Sequence, residues 1–460
     1  MASKSKRARM APQRNYVRTF MSWAIVTFVL KCVIILNIKG GNIDIGSGKL
    51  FYFDGIWPGS DAENYIKGFD ALNREGLFST AGILNYWPAG YPLIILLFSV
   101  FSQSWTLPLL AVFQSFLFSF AVYFFASQIS RTKLRKFSYI VFLLIILNPT
   151  LSLSSIVLGY ESLTASGFLI ASGLMIKDFI EKDDKKFAKY LIINSLIFGL
   201  LTFMQPRLIV SGIAINLLWT TLRQGIRLRI LIVVLSLFIT LFFPTTLIYR
   251  NYESTKIMTI STNLGTTMNI GAGDKADGSY MPDEYGVPCT LTGNVAEQDK
   301  AKIECVLNWY SNNPAKALKL FYNKTIYFWS PWSGPEASGT MARNPWLKIN
   351  PLANIASAPN GSELIYGNFG KLISWLWLIG GITLLVYGFI VLWRLGSLEK
   401  FIALMAMIVV STNWLISLVS IGDHRFRVPI MGISLFLQAV GLKAVFGMGK
   451  VQVLDGPSLR

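Results

Sequence analysis

Asp61 and Glu63 open a polar stretch, Ser60–Pro92, which reads SDAENYIKGFDALNREGLFSTAGILNYWPAGYP and lies between strongly apolar segments. Ser60 and Glu63 have the spacing of a capping box. Apolar residues at Ala62, Tyr65, Ile66, Phe69 and Leu72 then share one helix face. The pattern predicts an amphipathic helix over 61–75 on a membrane surface, stopped by Gly76. A carboxylate in the first turn faces the positive end of the helix dipole and stays ionised. Asp61 can therefore accept a hydroxyl proton as a general base. It can equally do no more than stabilise the helix, and spacing alone favours that use.

Other ionisable residues stand at the ends of apolar runs. Glu161 follows Gly159-Tyr160, Arg207 opens a run, Lys324 ends an aromatic helix, and Asp423, His424, Arg425 and Arg427 fall in GDHRFRVPI. A charge at such a place usually snorkels to water. Two arginines in so short a segment can instead hold a phosphate through paired N–H groups, or form a structural ion-pair cluster. Tyr86, Trp87 and Tyr91 are aromatics of the kind that more often anchor a chain at a membrane interface. The sequence has a single histidine, no P-loop and no dinucleotide fingerprint, so a His-rich metal site is excluded. No metal is required by this chemistry, while Asp61 with Glu63 offers two ligands for a divalent cation.

The elements that position these residues are membrane helices. Of 460 residues 53% are hydrophobic and 14% charged, which excludes an ordinary soluble domain. The net charge of +18 comes from clusters between apolar runs rather than from one soluble face, which points to membrane orientation and not to nucleic acid. Ten spans are predicted, near 19–38, 106–129, 137–157, 161–179, 188–205, 207–222, 229–249, 371–393, 401–420 and 428–447. The first eighteen residues carry six Lys/Arg, and the run after them contains Lys31 and no cleavage site, so the first span reads as uncleaved. With the N-terminus inside, the short basic clusters at 131–136, 177–189, 223–229, 394–400 and the C-terminal tail all fall on the cytoplasmic side.

The chain then divides into a basic tail (1–18), an N-terminal transmembrane module (19–249) with a first outer loop (39–105), a second outer loop (250–370), C-terminal transmembrane helices (371–447) and a tail (448–460). The run Tyr91–Phe101 is too short to span and is assigned to a surface or re-entrant helix. Loop two opens with a Gly-, Thr- and Asn-rich stretch, 260–278, read as a tight loop offering backbone N–H groups. Helices follow over 297–312 and from Pro314 to a stop at Pro331. Cys289 and Cys305 both fall in this loop, and spacing leaves their pairing open. The fold class is an all-α polytopic membrane protein.

The ordered set SDAENY, NYWPAGYP, the STN-x-G stretch from Ser261 to Gly278, the Pro-Ala-Lys-Ala-Leu helix running to Lys324 and Trp329, and HRFRVPI resembles the GT-C glycosyltransferases. The nearest branch is the protein O-mannosyltransferase and lipid A aminoarabinose transferase type. The sequence departs from that pattern in the interrupted pair Asp61-Ala62-Glu63 and in Leu264 and Ala272 of the loop-two stretch.

The resemblance implies a multi-pass enzyme of the bacterial inner membrane with its site facing the periplasm. Such an enzyme moves a sugar with inversion from a polyprenyl-phosphate donor to a lipid or cell-envelope glycan acceptor, in preference to a protein. It implies Asp61 as base, with Glu161 the second choice, Arg425, Arg427, Lys324 and Arg207 as cations for the phosphate, and Glu63, Tyr65, Tyr86, Trp87, Tyr91 and His424 as a sugar or lipid pocket. A transporter or flippase of a lipid-linked saccharide, or a polymerase or ligase using a diphosphate-linked glycan, are the alternatives.

Overall fold

The structure, a computed structural model, describes residues 2–45, 50–59, 61–223, 226–281, 283–330 and 368–447. It is an all-α polytopic membrane protein: among the described residues eight helices are long and apolar enough to cross a bilayer, or nine if one bent pair is a single span. The expected third span is that bent pair. α6 (Ser138–Ile146) and α7 (Pro149–Leu153) lie on either side of a 58° break, where Asn148 accepts the N–H of Leu151 and Pro149 stands at the first helical position.

The expected sixth span is α10 (Ile209–Arg223), a helix of only 15 residues, roughly 22 Å long. It nevertheless runs from one end of the bundle to the other. Arg207, just before it, lies among the charges at one end, while Arg223 pairs with Asp178 at 2.9 Å and Asp184 at 3.2 Å at the opposite end. The eight helices that are long and apolar enough are α1 (Ala2–Asn37), α5 (Thr106–Ile129), α8 (Glu161–Glu181), α9 (Asp184–Met204), α11 (Ile226–Thr255), α15 (Asn368–Leu395), α16 (Ser397–Val419) and α17 (Val428–Val445); α10 is not among them.

α8 and α17 form the centre, with 72% of each apolar window buried, whereas α1, α11 and α15 bury only 22% and present the rest outward. Small residues let the central helices approach. A side chain at Gly167 would meet Leu201, one at Gly432 would meet Leu169, and Gly388 and Gly441 put the backbones of α15 and α17 in direct contact. Polar side chains add a buried network between α9, α10 and α11. Asn194 donates to Asn216 at 2.8 Å, and Asn216 donates to Ser236 at 3.0 Å.

The basic connections gather at the end away from Asp61. Arg131 and Lys186 face Glu181, the Lys133 amide donates to Glu399, and Lys443 donates to the Lys136 carbonyl.

At the other end, loop one contains strands that its polar sequence had not suggested. β1 (Lys39–Asp44) pairs antiparallel with β2 (Leu50–Asp54), and β3 (Trp57–Pro58) pairs in parallel with β4 (Val157–Leu158). Gly55, at φ +74°, turns the chain between them against Pro108 of α5. The amphipathic helix is α2 (Ala62–Glu75), which buries Ala62, Tyr65, Ile66, Phe69 and Leu72. Gly76 ends it at φ +85°, donating its N–H to the Leu72 carbonyl. Ser60 lies outside the described residues, and Glu63 holds Lys67 at 2.5 Å. A short helix α3 (Ile83–Tyr86) leads to α4 (Gly90–Ser99), the expected run too short to span. Arg250 near the end of α11 clamps this segment by donating to the carbonyls of Leu77 and Ser79 and to the Asn85 side chain.

In loop two, the stretch expected as a tight loop offering backbone N–H groups contains α12 (Leu264–Asn269), and the Gly265 N–H is taken by Asp299 at 2.7 Å. α13 (Val295–Asn312) begins with a complete capping box between Asn294 and Glu297. α14 (Pro314–Trp329) follows after Asn313, with Ser330 as its cap; Pro331 lies outside the described residues. Cys289 and Cys305 form a disulfide, which closes the question their spacing left open.

Candidate active site

Asp61 and Glu161 share one guanidinium. Arg425 Nη1 lies 2.7 Å from Asp61 Oδ2, and Arg425 Nε donates to Glu161 Oε1. All three side chains are largely buried, at 10% exposure or less for Arg425 and Asp61 and 13% for Glu161. The local sequence explains each placement. Asp61 stands at the N-cap position of α2 without a capping bond from its side chain, Glu161 is the first residue of α8, and Arg425 lies in a short turn, His424–Arg427, that feeds α17. Asp423 fixes that turn by accepting the Arg425 backbone N–H at 2.8 Å.

The two acids are brought together by backbone as well as by charge. The β3–β4 bridge joins the segment just before Asp61 to the segment just before Glu161. Behind it, the Tyr91 hydroxyl accepts the Gly159 N–H at 2.9 Å and donates to Gln114 at 3.0 Å. Gln114 in turn donates to the carbonyls of Ser155 and Val157. This buried network leaves the Gly159-Tyr160-Glu161 turn little freedom.

Tyrosines line the acid pair. Tyr65 packs edge-on against Tyr91 at 4.9 Å and Tyr160 at 6.4 Å, and Arg425 lies 5.8 Å from the Tyr160 ring centre. The Tyr65 hydroxyl is buried and makes no hydrogen bond within the described residues. Burial, then the charge of Asp61, pushes this phenol well above its usual range, so it stays protonated as a donor. Burial likewise raises Tyr160 to about 12, and its hydroxyl accepts from Gln205 at 2.9 Å. Asp423 is pushed up to about 6, chiefly by burial and against the pull of the Arg425 N–H and the nearby arginines.

The four cations proposed from sequence separate into two kinds. Arg207 stacks on Phe426 at 3.8 Å, within electrostatic reach of Tyr160, Glu161, Asp423 and Arg425. Its Nε and Nη2 are buried without a hydrogen-bond partner among the described residues. Arg425 joins the acids. Arg427 and Lys324 turn elsewhere. Arg427 donates to the carbonyls of Trp329 at 2.7 Å and Ser330 at 3.1 Å. Lys324 donates to Tyr310 and to the carbonyls of Leu418 and Ser420 at the end of α16, and burial pulls its ammonium down to about 7 even among these acceptors.

The remaining candidates are dispersed. His424 is buried beside Asp423, with 3.6 Å between Nδ1 and Oδ1. Tyr86 and Trp87 pair with each other edge to face at 5.7 Å. Glu63 and Asp61, the pair offered for a cation, hold different partners, Lys67 and Arg425. Among the described residues no group of three His, Cys, Asp or Glu side chains could hold a metal.

Gln114 and Gln205 were not singled out from sequence. Their signal was an uncharged amide inside or at the edge of an apolar span, where a polar group needs a partner.

No protein-family model, curated protein or solved structure matches the chain.

Proposed function

We propose that this multi-pass membrane protein is a glycosyltransferase of the GT-C type, transferring a sugar from a polyprenyl-phosphate donor to a lipid or envelope-glycan hydroxyl. The reading rests on the meeting of Asp61 and Arg425 at the end of the bundle away from the basic connections. That end carries both long loops and a disulfide, and the opposite end carries the basic clusters, so the positive-inside rule puts the site outside the cytoplasm. In a bacterium this is the periplasmic face of the inner membrane. Ten crossings, with α6–α7 and the short α10 each counted once, return both termini to the cytoplasm.

The acid pair and its guanidinium suggest how the reaction runs. At rest Arg425 neutralises one of two carboxylates. A donor phosphate offers Arg425 and Arg207 a competing anion, and the unpaired N–H groups of Arg207 suit it. As Arg425 shifts toward the phosphate, Asp61 regains a free lone pair. The acceptor oxygen then attacks the anomeric carbon while its proton passes to Asp61. The bond from that carbon to the phosphate oxygen breaks, its electron pair stays on the phosphate, and the arginines stabilise the charge. Attack opposite the departing phosphate inverts the anomeric centre. Glu161 tethers Arg425 through its Nε while the guanidinium swings, and the Tyr65 hydroxyl is a donor for a sugar oxygen.

Purified protein in nanodiscs, given a labelled polyprenyl-monophosphate sugar and envelope lipid or glycan acceptors, tests this. Labelled product that disappears in Asp61→Asn supports it. Undiminished turnover in Asp61→Asn removes the base, and no product with any donor removes the enzyme.

A transporter of a lipid-linked saccharide draws support from one observation. Lys31 is buried inside α1 with its ammonium 4.2 Å from the Phe118 ring centre and no hydrogen-bond partner among the described residues. Movement of intact donor between leaflets without transfer would favour that reading.

A further inference from the structure

A cavity of about 200 Å³ lies between the β1–β2 hairpin, α2 and the outer end of α5. A single ordered water needs roughly 10–15 Å³ by this measure, so the space is far larger than a hydration pocket. Its walls are aromatic at Phe51, Tyr52 and Phe69, and polar at Asp54, Gln103 and Thr106. Among the described residues its lining contains no lysine or arginine and has one carboxylate, that of Asp54, which Lys39 already neutralises. That charge balance disfavours phosphates, nucleotides and acidic headgroups. Flat aromatic faces beside a carboxylate, an amide and hydroxyls are instead suited to a neutral polyhydroxylated ring, whose C–H face packs on the aromatics and whose hydroxyls bridge the polar groups. Among the described residues Asp54 is partnered by Lys39, at 3.2 Å, in a pair whose side chains are 59% and 80% exposed. Such a pair is worth little, and ligand hydroxyls can replace it.

The cavity is joined to the acid pair by one rigid element. α2 begins beside Asp61 and carries Phe69 two turns later, about 12 Å along the helix axis. We infer that the cavity is a saccharide subsite, which holds an acceptor glycan by a ring a few residues away from the hydroxyl delivered to Asp61. This rests on the transferase reading for the role of the bound glycan, but the binding itself does not. A glycan acceptor is then favoured over a simple lipid alcohol, and acceptor length becomes a determinant of affinity.

The test is saturation-transfer NMR and calorimetry on the full-length protein in nanodiscs, with neutral linear gluco-, manno- and N-acetylglucosamine oligosaccharides of increasing length. Inorganic phosphate and phosphatidylglycerol are the anionic controls. The expected result is binding of at least one neutral series that strengthens with length and is not displaced by phosphate. Tyr52→Ala and Gln103→Ala, both away from the packed core, should each weaken it about tenfold. Failure of every series to bind, or equal binding by both cavity variants and the unaltered protein, overturns the subsite. Binding with these properties in a protein that transfers no sugar sustains the subsite and removes the transferase.

Discussion

Arg425 and Asp61 meet at 2.7 Å, although one precedes α17 and the other stands just before α2, in the long loop that follows α1. Glu161 occupies the second edge of the same guanidinium across 264 positions of sequence. A cation shared by two buried carboxylates cannot be removed without exposing their repulsion.

Arg425→Ala should therefore destabilise the folded protein by about 3–5 kcal/mol, the usual cost of orphaning a buried charge partner. Arg425→Lys should recover much of the stability, because one ammonium still neutralises the site. It cannot span both acids as a planar fork does, so donor turnover should stay low. Thermal unfolding in detergent, set beside the transfer assay, separates the two effects.

Arg207 and Arg427 should part company under alanine substitution. Arg207→Ala removes N–H groups that have no internal partner and is expected to raise the donor KM about tenfold or more, in line with a lost charged hydrogen bond. Arg427→Ala instead frees the carbonyls of Trp329 and Ser330 and should lower the melting temperature. Donor titrations with both variants check this; equal KM changes would argue against the division.

Tyr91→Phe should act on Glu161 without touching substrate. The lost hydroxyl leaves the Gly159 N–H and the Gln114 carbonyl oxygen without their bonds, at a cost of about 1–3 kcal/mol. A fall in kcat with donor KM unchanged, and non-additivity with Gln114→Leu in a double-mutant cycle, would mark a positioning role.

Asp423 gives a pH signature. Its folded-state value of about 6 lies above the ordinary 3.8, so between those limits the folded state binds more protons than the unfolded. Stability from this group is therefore full below the lower limit and is lost as pH rises through the upper one. Asp423→Asn keeps an oxygen for the Arg425 N–H and abolishes the titration. The melting temperature of the variant relative to the unaltered protein should rise as pH increases from 4 to 6.

Reducing the Cys289–Cys305 disulfide should loosen loop two alone. The bridge spans 16 positions, for which chain entropy suggests about 3 kcal/mol. Hydrogen exchange should accelerate in α13 while amides of α8 and α17 stay protected.

Much of this could be read from the residues in order, because burial in lipid leaves strong periodic signals. α5 begins and ends where its apolar run does, and α2 keeps the expected buried face. What escaped reading depended on contacts between distant segments. The break at Asn148-Pro149 lies inside a run apolar enough to be taken as one span, whereas the short α10 matches the run expected over 207–222. The β3–β4 bridge is two residues long, too brief for any alternation to announce it. The site was legible as a set of charges but not as a pairing. Arg425 and Arg427 look equivalent in HRFR, and only the packed turn sends one to carboxylates and the other to carbonyls.

The bridge between Trp57–Pro58 and Val157–Leu158 has one more implication. It gives the acids a common mount, so their spacing survives any excursion of the guanidinium between them. An arriving anion can draw Arg425 aside without dispersing its former companions, and the resting arrangement is rebuilt on departure by the swing of one side chain. Turnover then requires no hinge in the spanning helices.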